Sequence, residues 1–244
     1  MRVLVTRPEP ASARTAAELE RRGHEPVLLP LMQAIQQPKA LSSPPLPGTA
    51  AIAVTSAEAM RVLETLPYDA RHPFLALPLF AVGRATARAA EEAGFQDVSV
   101  ADGDGRSLAR LLIAKTDQNP GTPILYLTGT PRSPEFETTL ADAGRIVDVR
   151  ECYQMIPAAH DDAELARRLT PMPDAILAYS SETALRIGEI FEGTRASFNW
   201  SEARFLCLSE KIAKALPAEF QPQARWPMEP REDLLLLLLS CSAA

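Results

Sequence analysis

The sequence repeats itself at nearly one spacing, and this limits its possible folds more than any single motif does. Three windows recur in the same order: residues 4–23 as 125–144, 54–58 as 178–182, and 94–96 as 219–221. Matched positions lie 121, 124 and 125 residues apart (144 − 23, 182 − 58, 220 − 95). Unrelated α/β proteins can share such hydrophobic spacing, but matching turn residues favour a duplicated unit.

The repeated unit is predicted to alternate short strands with helices. Strands are predicted at residues 3–6, 26–29, 51–54 and 79–82, and helices at 16–22, 57–66 and 85–93. Gly23 and Gly94 follow helical patterns and are expected to end them. Short strands separated by helices indicate a parallel sheet covered by helices.

Two strand-like segments next to prolines interrupt this alternation, at residues 31–37 and 151–156, and a loop rich in Ser, Pro and Gly follows the first. If both segments are linkers, the domains interleave, with both chain ends in one domain. The predicted boundaries are 1–30 with 158–244 for domain 1, 31–40 and 151–157 for the linker strands, and 41–150 for domain 2.

Charge and hydropathy exclude several classes of partner. The chain has 25 basic and 31 acidic residues, for a net charge of -6, and lacks the basic stripe of a nucleic-acid-binding protein. The leucine run at 234–239 is far shorter than the ~20 residues of a membrane helix, so we expect a buried part of the last helix instead. No membrane partner is expected.

The cysteines and the start of the chain favour the cytoplasm. Cys152, Cys207 and Cys241 are far apart and lack the CxxC spacing of a zinc site or a disulfide framework. The sequence enters a predicted strand directly after Met1-Arg2, which leaves no room for a signal peptide. We therefore expect a cytoplasmic protein with reduced thiols.

Several catalytic motifs are absent from the sequence. Neither the Gly-x-Gly-x-x-Gly fingerprint of dinucleotide binding nor a phosphate-binding P-loop occurs, and there is no Gly-x-Ser-x-Gly elbow. His24, His72 and His160 are scattered without metal-ligand spacing and are expected to lie at the surface. Any chemistry is therefore expected from hydroxyls, the main chain or the substrate itself.

The turns after the predicted strands are rich in small and hydroxyl-bearing residues. These turns comprise residues 6–8, 55–57, 83–86, 129–132, 179–181 and 209–210. In parallel sheets such turns meet at one edge, where helix N-termini favour anions such as carboxylates. Helix capping alone explains any individual Ser or Thr, at about 1 kcal/mol each. The whole set is the stronger indication of a carboxylate-binding edge.

The ordered motifs resemble the uroporphyrinogen-III synthase family over nearly the whole chain. The resemblance rests on Val3-Leu4-Val5-Thr6-Arg7-Pro8, Val54-Thr55-Ser56-Ala57, Ala81-Val82-Gly83-x-x-Thr86-Ala87, Leu125-Tyr126-Leu127-Thr128-Gly129 and Tyr179-Ser180-Ser181. It implies two similar flavodoxin-like parallel-sheet domains joined by a two-stranded antiparallel linker. It also implies dehydrative cyclisation of hydroxymethylbilane, with inversion of ring D through a spiro intermediate, to uroporphyrinogen III, without a cofactor or a metal.

The resemblance assigns expected roles to particular residues. The family's functional tyrosine falls on Tyr153, whose phenol is protonated at neutral pH and can donate to the departing hydroxyl; without the resemblance, a packing role would be favoured. The substrate-binding residues expected are Thr55, Ser56, Gly83, Thr86, Gly129, Ser180 and Ser181, with Arg7 and Arg84 as candidates for carboxylate contacts. Both arginines could equally be solvated.

The sequence departs from the family pattern in the C-terminal turns. Tyr179 stands where the family usually has Thr, Ser209 replaces Gly, and Ile212 occupies a position that is often Thr. These changes weaken the expectation of a hydroxyl contact at the last turn. A monomer is expected, and the pathway context leaves room for a transient contact with the preceding enzyme.

Two other functions fit parts of the sequence. A two-domain protein that binds an anionic small molecule without chemistry would share the turns, although the missing export signal counts against a periplasmic carrier. A glycosyltransferase with two nucleotide-binding-like domains would need larger domains and a nucleotide loop. Tyr153 facing the bound ligand would favour catalysis over simple binding.

Overall fold

The computed structural model describes residues 1–116 and 121–240. The strands are β1 (Arg2–Val5), β2 (Glu25–Leu28), β3 (Met32–Gln36), β4 (Ala51–Val54), β5 (Leu79–Val82), β6 (Val98–Ala101), β7 (Ile124–Thr130), β8 (Val147–Pro157), β9 (Ala175–Ala178) and β10 (Arg204–Cys207). The α-helices are α1 (Ala11–Arg21), α2 (Glu58–Glu64), α3 (Tyr68–Leu75), α4 (Arg84–Ala93), α5 (Gly105–Lys115), α6 (Glu135–Asp142), α7 (Asp162–Leu169), α8 (Ser181–Thr194), α9 (Glu210–Ala213) and α10 (Glu232–Leu237).

The chain divides into two compact units. Unit 1 contains residues 1–33 and 156–244, and unit 2 contains residues 34–155. Unit 1 has a four-stranded sheet in the order β10-β9-β1-β2, in which all neighbouring strands are parallel. In unit 2 the strands run in the order β3-β8-β7-β4-β5-β6, and every pair from β8 to β6 is parallel.

The two sheets are built to one plan. β7, β8, β4 and β5 correspond to β1, β2, β9 and β10, with first residues 122, 122, 124 and 125 positions apart (124 − 2, 147 − 25, 175 − 51, 204 − 79). The first pair also has the same register, Arg2 opposite Glu25 and Ile124 opposite Val147. The order β2-β1-β9-β10 matches β8-β7-β4-β5, and the windows that repeat in the sequence therefore fall on equivalent elements.

The central strands of each sheet are buried on both faces because helices cover them. In β1, Leu4 packs into one apolar cluster of unit 1, whereas Val3 and Val5 pack into another. In β4, Ile52 and Ala53 likewise enter different clusters of unit 2. This explains why the strands are continuous apolar runs, the pattern typical of parallel strands.

The observed elements differ from the predicted ones in two places. The predicted helix over 57–66 is α2 alone, which ends at Glu64, because the residue before Pro67 disfavours helical geometry. A further helix, α3, begins directly after this proline. The predicted strand at 151–156 is the end of β8, whose first residues belong to the sheet of unit 2.

The C-terminal leucine run lies in α10 and the short turn after it. Leu235, Leu236 and Leu239 are buried, and Leu237 is exposed. Within residues 1–116 and 121–240, no helix is long and apolar enough to cross a membrane. Cys152 and Cys207 are buried free thiols, and Cys241 lies outside the described residues.

Candidate active site

The predicted site residues lie at equivalent edges of the two sheets. Each sheet has a switch point, where successive strands are added towards one edge on one side and towards the other edge on the other side. It lies between β1 and β9 in unit 1 and between β7 and β4 in unit 2. Ligands of doubly wound α/β folds bind outside the carboxyl ends of the strands at such a switch point. Thr55 and Ser56 directly follow β4, and Tyr179 and Ser180 directly follow β9.

Tyr153 lies immediately after a β-bulge. β7 and β8 pair regularly as far as Thr128 and Glu151, and then Gly129 pairs with Tyr153, which leaves Cys152 as an extra residue. Because a bulge interrupts the alternation of side chains, Cys152 and Tyr153 are both buried in the same cluster of unit 2. The bulge therefore sets the direction of the Tyr153 side chain.

The Tyr153 ring lies directly against Gly129. A methyl group at Gly129 would come within 2.1 Å of Cε2 and 2.4 Å of Cζ of Tyr153. The glycine is therefore required for space, and its φ is not in the left-handed region. This contact joins two residues that the sequence assigned to the site.

The electrostatic setting of Tyr153 keeps its phenol protonated. Burial raises the pKa of Tyr153 to about 12, and the nearby Ser56 hydroxyl opposes part of this shift. The Ser56 Oγ also accepts a hydrogen bond from the backbone N–H of Glu58 at 3.2 Å. The phenol is therefore protonated at neutral pH and can donate a hydrogen bond.

A second phenol, Tyr126, supports the turn after β4. Its hydroxyl lies 3.2 Å from the Thr55 hydroxyl, and its ring packs on Phe136 with the centroids 4.3 Å apart. Tyr126 is almost completely buried. Thr55 thus contacts a tyrosine of β7, the strand next to β4, and Ser56 lies near a tyrosine of β8, one strand further across the sheet. Tyr126 was not predicted as a site residue, although its strand carries part of the family motif.

The turn after β5 has the form expected for anion contact. Gly83 has φ 75°, a conformation that favours glycine, and its N–H donates to the Ala101 carbonyl. Thr86 is buried, and Arg84 is exposed. No described side chain caps α4. The N–H groups of its first turn are therefore the part of this turn best suited to a ligand.

Arg7, in unit 1, is engaged by side chains of its own unit. Its Nη1 lies 3.0 Å from Oε1 of Glu232 and 3.5 Å from the Thr15 hydroxyl, and its guanidinium stacks on the Tyr179 ring at 4.2 Å from the centroid. The expectation that Arg7 could be a solvated arginine is therefore wrong. Thr15 and Glu232 were missed, because no local pattern relates them to Arg7.

Ser180 and Ser181 begin helix α8. The Ser180 hydroxyl oxygen accepts the Thr183 N–H at 3.1 Å and lies 2.9 Å from the Thr183 hydroxyl. Ser180 is therefore an N-cap, the simpler of its two interpretations, while Ser181 is partly exposed in the first turn. Ser209 precedes α9 without a side-chain cap bond among the described residues.

The other polar residues near these turns have structural partners. Arg132, in the turn after β7, is paired with Glu137 and Glu151, each at 2.6 Å. His160 is not a surface residue as predicted: its Nε2 lies 2.7 Å from the Pro30 carbonyl oxygen and its Nδ1 3.1 Å from Glu164. In the described part of the chain, no group of three His, Cys, Asp or Glu side chains is arranged to hold a metal ion.

The structure therefore brings the predicted residues together as two separate sets. Within unit 2, Tyr153 contacts Gly129 and lies near Ser56, and Thr55 lies next to Ser56. Gly83, Arg84 and Thr86 belong to the same unit, at the carboxyl end of the strand next to β4. Arg7 joins Tyr179 in unit 1, where Ser180 follows directly. Neither set depends on a contact between the units.

Known proteins share both the sequence pattern and the fold. The family model described as uroporphyrinogen-III synthase HemD matches residues 13–236. The crystal structure of uroporphyrinogen-III synthetase from Helicobacter pylori 26695 is 16% identical, with a TM-score of 0.63 over 98% of this chain and 97% of that chain. A mutant uroporphyrinogen III synthase from Thermus thermophilus is 22% identical, with a TM-score of 0.55 over 98% of this chain and 96% of that chain. No curated protein sequence matches significantly.

These similarities differ in what they show. At such low identities the solved structures establish the fold alone, and they confirm the predicted parallel α/β architecture. The family match covers most of the chain and includes the strands, turns and helices that carry the predicted site residues from Thr55 to Ser181.

Proposed function

The chain belongs to the uroporphyrinogen-III synthase family, and we propose that it is a cyclising hydro-lyase in which Tyr153 donates the proton to the leaving hydroxyl. Its substrate is hydroxymethylbilane, and its product is uroporphyrinogen III, an intermediate of porphyrin biosynthesis. The observation that carries the role of Tyr153 is its buried phenol, held by the bulge in β8 against Gly129 and next to Ser56.

The proposed chemistry requires little more than a positioned proton donor. The C–O bond of the hydroxymethyl group breaks as the hydroxyl takes the Tyr153 proton and leaves as water. The electron-rich pyrroles of the substrate stabilise the cation that remains, which attacks ring D to form the spiro intermediate. Rearrangement and ring closure release a proton, which restores the phenol, so the net change is loss of one water.

The remaining predicted residues are proposed to bind acetate and propionate groups. Thr55, Ser56, Gly83, Thr86 and Gly129 would act in unit 2, and Ser180 and Ser181 in unit 1, largely through N–H groups and hydroxyls at helix starts. Arg84 is exposed and available to a carboxylate, whereas Arg7 is already paired. Holding the flexible linear tetrapyrrole in one folded conformer can supply much of the rate enhancement.

The organisation of the chain fits this proposal. We propose that the two units are the domains of the enzyme and that β3 and the end of β8 form its antiparallel linker, as predicted. We also propose that it works as a cytoplasmic monomer, in transient contact with the preceding enzyme of the pathway. Buried Cys152 and Cys207 are consistent with a reducing compartment.

The product isomer tests the function directly. The purified protein is given freshly prepared hydroxymethylbilane, the product is oxidised, and the porphyrin isomers are separated by chromatography. Isomer III is expected to dominate, whereas a parallel incubation without protein yields isomer I by spontaneous closure. If the protein also yields only isomer I, the chain would instead be a binding protein for an anionic small molecule, which the family match does not favour.

A further inference from the structure

Glu232 is the centre of a polar cluster at the switch point of unit 1. One oxygen of its carboxylate, Oε1, accepts hydrogen bonds from Arg7 at 3.0 Å, Thr15 at 2.5 Å and Tyr179 at 2.9 Å. These three donors come from the turn after β1, from α1 and from the turn after β9. Three donors converging on one oxygen is the coordination of a bound carboxylate.

The three donors also form a preorganised set. The Arg7 guanidinium stacks on the Tyr179 ring, which fixes its plane, and its Nη1 is within 3.5 Å of the Thr15 hydroxyl. Burial, followed by the nearby Glu232 carboxylate, raises the pKa of Tyr179, so its phenol stays a donor at neutral pH. Arg7 and Tyr179 lie in the turns that follow the two strands between which a ligand of this fold is expected.

We infer that Arg7, Thr15 and Tyr179 form a carboxylate-binding site, that Glu232 occupies it as an internal carboxylate, and that a carboxylate of the substrate binds there after displacing Glu232. This inference rests on the proposed function for the identity of the ligand. Glu232 thereby lowers the apparent affinity of the site, because a ligand must first break the internal contacts.

Glu232 can leave without unfolding its segment. Its side chain is 39% exposed, and it is the first residue of the short helix α10. The segment is anchored further along by Leu235, Leu236 and Leu239, which pack into the core of unit 1. A rotation of the Glu232 side chain therefore frees the three donors while the anchoring leucines stay in place.

The inference predicts that removing the charge of Glu232 strengthens binding. The probe is uroporphyrin III, a stable porphyrin with the acetate and propionate groups of the proposed product, and its dissociation constant is measured by isothermal titration calorimetry. We expect Glu232→Gln to bind about three- to tenfold more tightly than the wild type, because the amide competes less well for Arg7. Adding Arg7→Met to Glu232→Gln should abolish this gain.

Glu229→Gln is the matched control, because it removes one negative charge from an exposed position three residues earlier, where Glu229 pairs loosely with Arg231. Its affinity should stay within twofold of the wild type. Unchanged or weaker binding by Glu232→Gln would overturn the inference, as would an equal gain in Glu229→Gln or no binding by any variant. If Glu232→Gln does not fold, the same dissociation constant is measured for Glu232→Asp. Its shorter carboxylate should also release Arg7, so uroporphyrin III should bind more tightly than to the wild type.

Failure of this inference is distinguishable from failure of the proposed function. The affinity comparison needs no turnover, whereas the function is judged by the porphyrin isomer that the wild type produces. If the wild type produces isomer III and Glu232→Gln binds with unchanged affinity, the proposed function stands. Only the inference that Glu232 occupies a carboxylate site is then rejected. Isomer I together with the expected gain would reject the synthase activity and leave an anion site controlled by Glu232.

Discussion

Two phenols lie at the switch points of the duplicated units, and the groups next to them differ in charge. Tyr179, in unit 1, donates to the Glu232 carboxylate at 2.9 Å and lies under the Arg7 guanidinium. Tyr153, in unit 2, has the neutral hydroxyl of Ser56 nearby, which opposes part of the rise in its pKa. A carboxylate holds the proton of Tyr179 in a strong hydrogen bond, whereas the proton of Tyr153 is better placed for transfer to a substrate.

Different side chains stand at equivalent positions of the two units. Arg7 corresponds to Gly129 (129 − 122 = 7), and the missing side chain of Gly129 leaves the space that the Tyr153 ring occupies. Tyr179 corresponds to Thr55 (179 − 124 = 55), so the two phenols reach the switch point from different strands. One unit has thus become suited to proton donation and the other to holding an anion.

Removing the Tyr153 hydroxyl should have the largest effect. We expect Tyr153→Phe to lower kcat by about 10²- to 10⁴-fold, the usual contribution of a general acid, with little change in Tm. Steady-state rates with fresh hydroxymethylbilane measure this, and Tyr179→Phe is the matched variant, with an expected loss below about tenfold. Equal losses in the two variants would remove the proposed distinction between the phenols.

Filling the space at Gly129 should move the Tyr153 ring without removing its hydroxyl. The added methyl group of Gly129→Ala would lie 2.1 Å from the ring, so the ring must shift, and we expect kcat to fall by about 10- to 100-fold. Overpacking should also cost about 1–3 kcal/mol in the free energy of unfolding, measured in urea.

Gly193→Ala is the control for this substitution. Gly193 lies in α8, where an added Cβ meets no atom within 4 Å, and alanine favours the helix. Its activity and stability should be at or above those of the wild type. Full activity in Gly129→Ala would show that the position of the Tyr153 ring is unimportant.

Much of this architecture is encoded locally and could be predicted. The apolar strands, the glycines after α1 and α4, and the offset between repeats follow from patterns within a few residues of each other. These patterns predicted the parallel sheets and the equivalence of the two halves. Ser180 was also predictable as an N-cap, because capping depends on neighbouring N–H groups.

The decisive contacts of the site could not be predicted from local patterns. Glu232 is 225 residues from Arg7, and no sequence period relates them. The bulge at Cys152 shifts the pairing of β7 and β8 by one residue, although the sequence there reads as a regular strand. Tyr153 itself was selected through the family resemblance. His160, which was expected at the surface, is held by a carbonyl oxygen brought close by folding.

Alkaline pH should test the burial of Tyr153. Its pKa is about 12 in the folded chain and 10.0 for an ordinary tyrosine, so the unfolded chain loses this proton first. The stabilisation is therefore fully present below pH 10 and is lost as the pH rises to 12, by about 2–3 kcal/mol. In urea unfolding at pH 9 to 11.5, Tyr153→Phe should lose stability less steeply than the wild type.

Tyr68→Phe controls for the loss of a phenol as such, because Tyr68 is an exposed tyrosine of the same unit. Its stability should decline with pH in parallel with the wild type. If Tyr153→Phe follows the same curve, Tyr153 does not keep its proton to a higher pH in the folded chain.

The smallest effects are expected from replacing Ser56 and Ser180, which occupy equivalent positions in the two units (180 − 124 = 56). Ser180 caps the 14-residue helix α8, so Ser180→Ala should lower the free energy of unfolding by about 1 kcal/mol and change kcat less than twofold. Ser56 accepts only the longer 3.2 Å bond from Glu58 in a turn, but its hydroxyl lies near Tyr153 and affects the pKa of that phenol. Ser56→Ala should therefore cost less stability and lower kcat by about three- to tenfold.

Urea unfolding and steady-state rates on both variants measure the two quantities, with Ser42→Ala, in an exposed turn, as the control. A larger kcat loss in Ser180→Ala would assign the catalytic turn to unit 1, because the two serines would then have exchanged the roles that their neighbours give them.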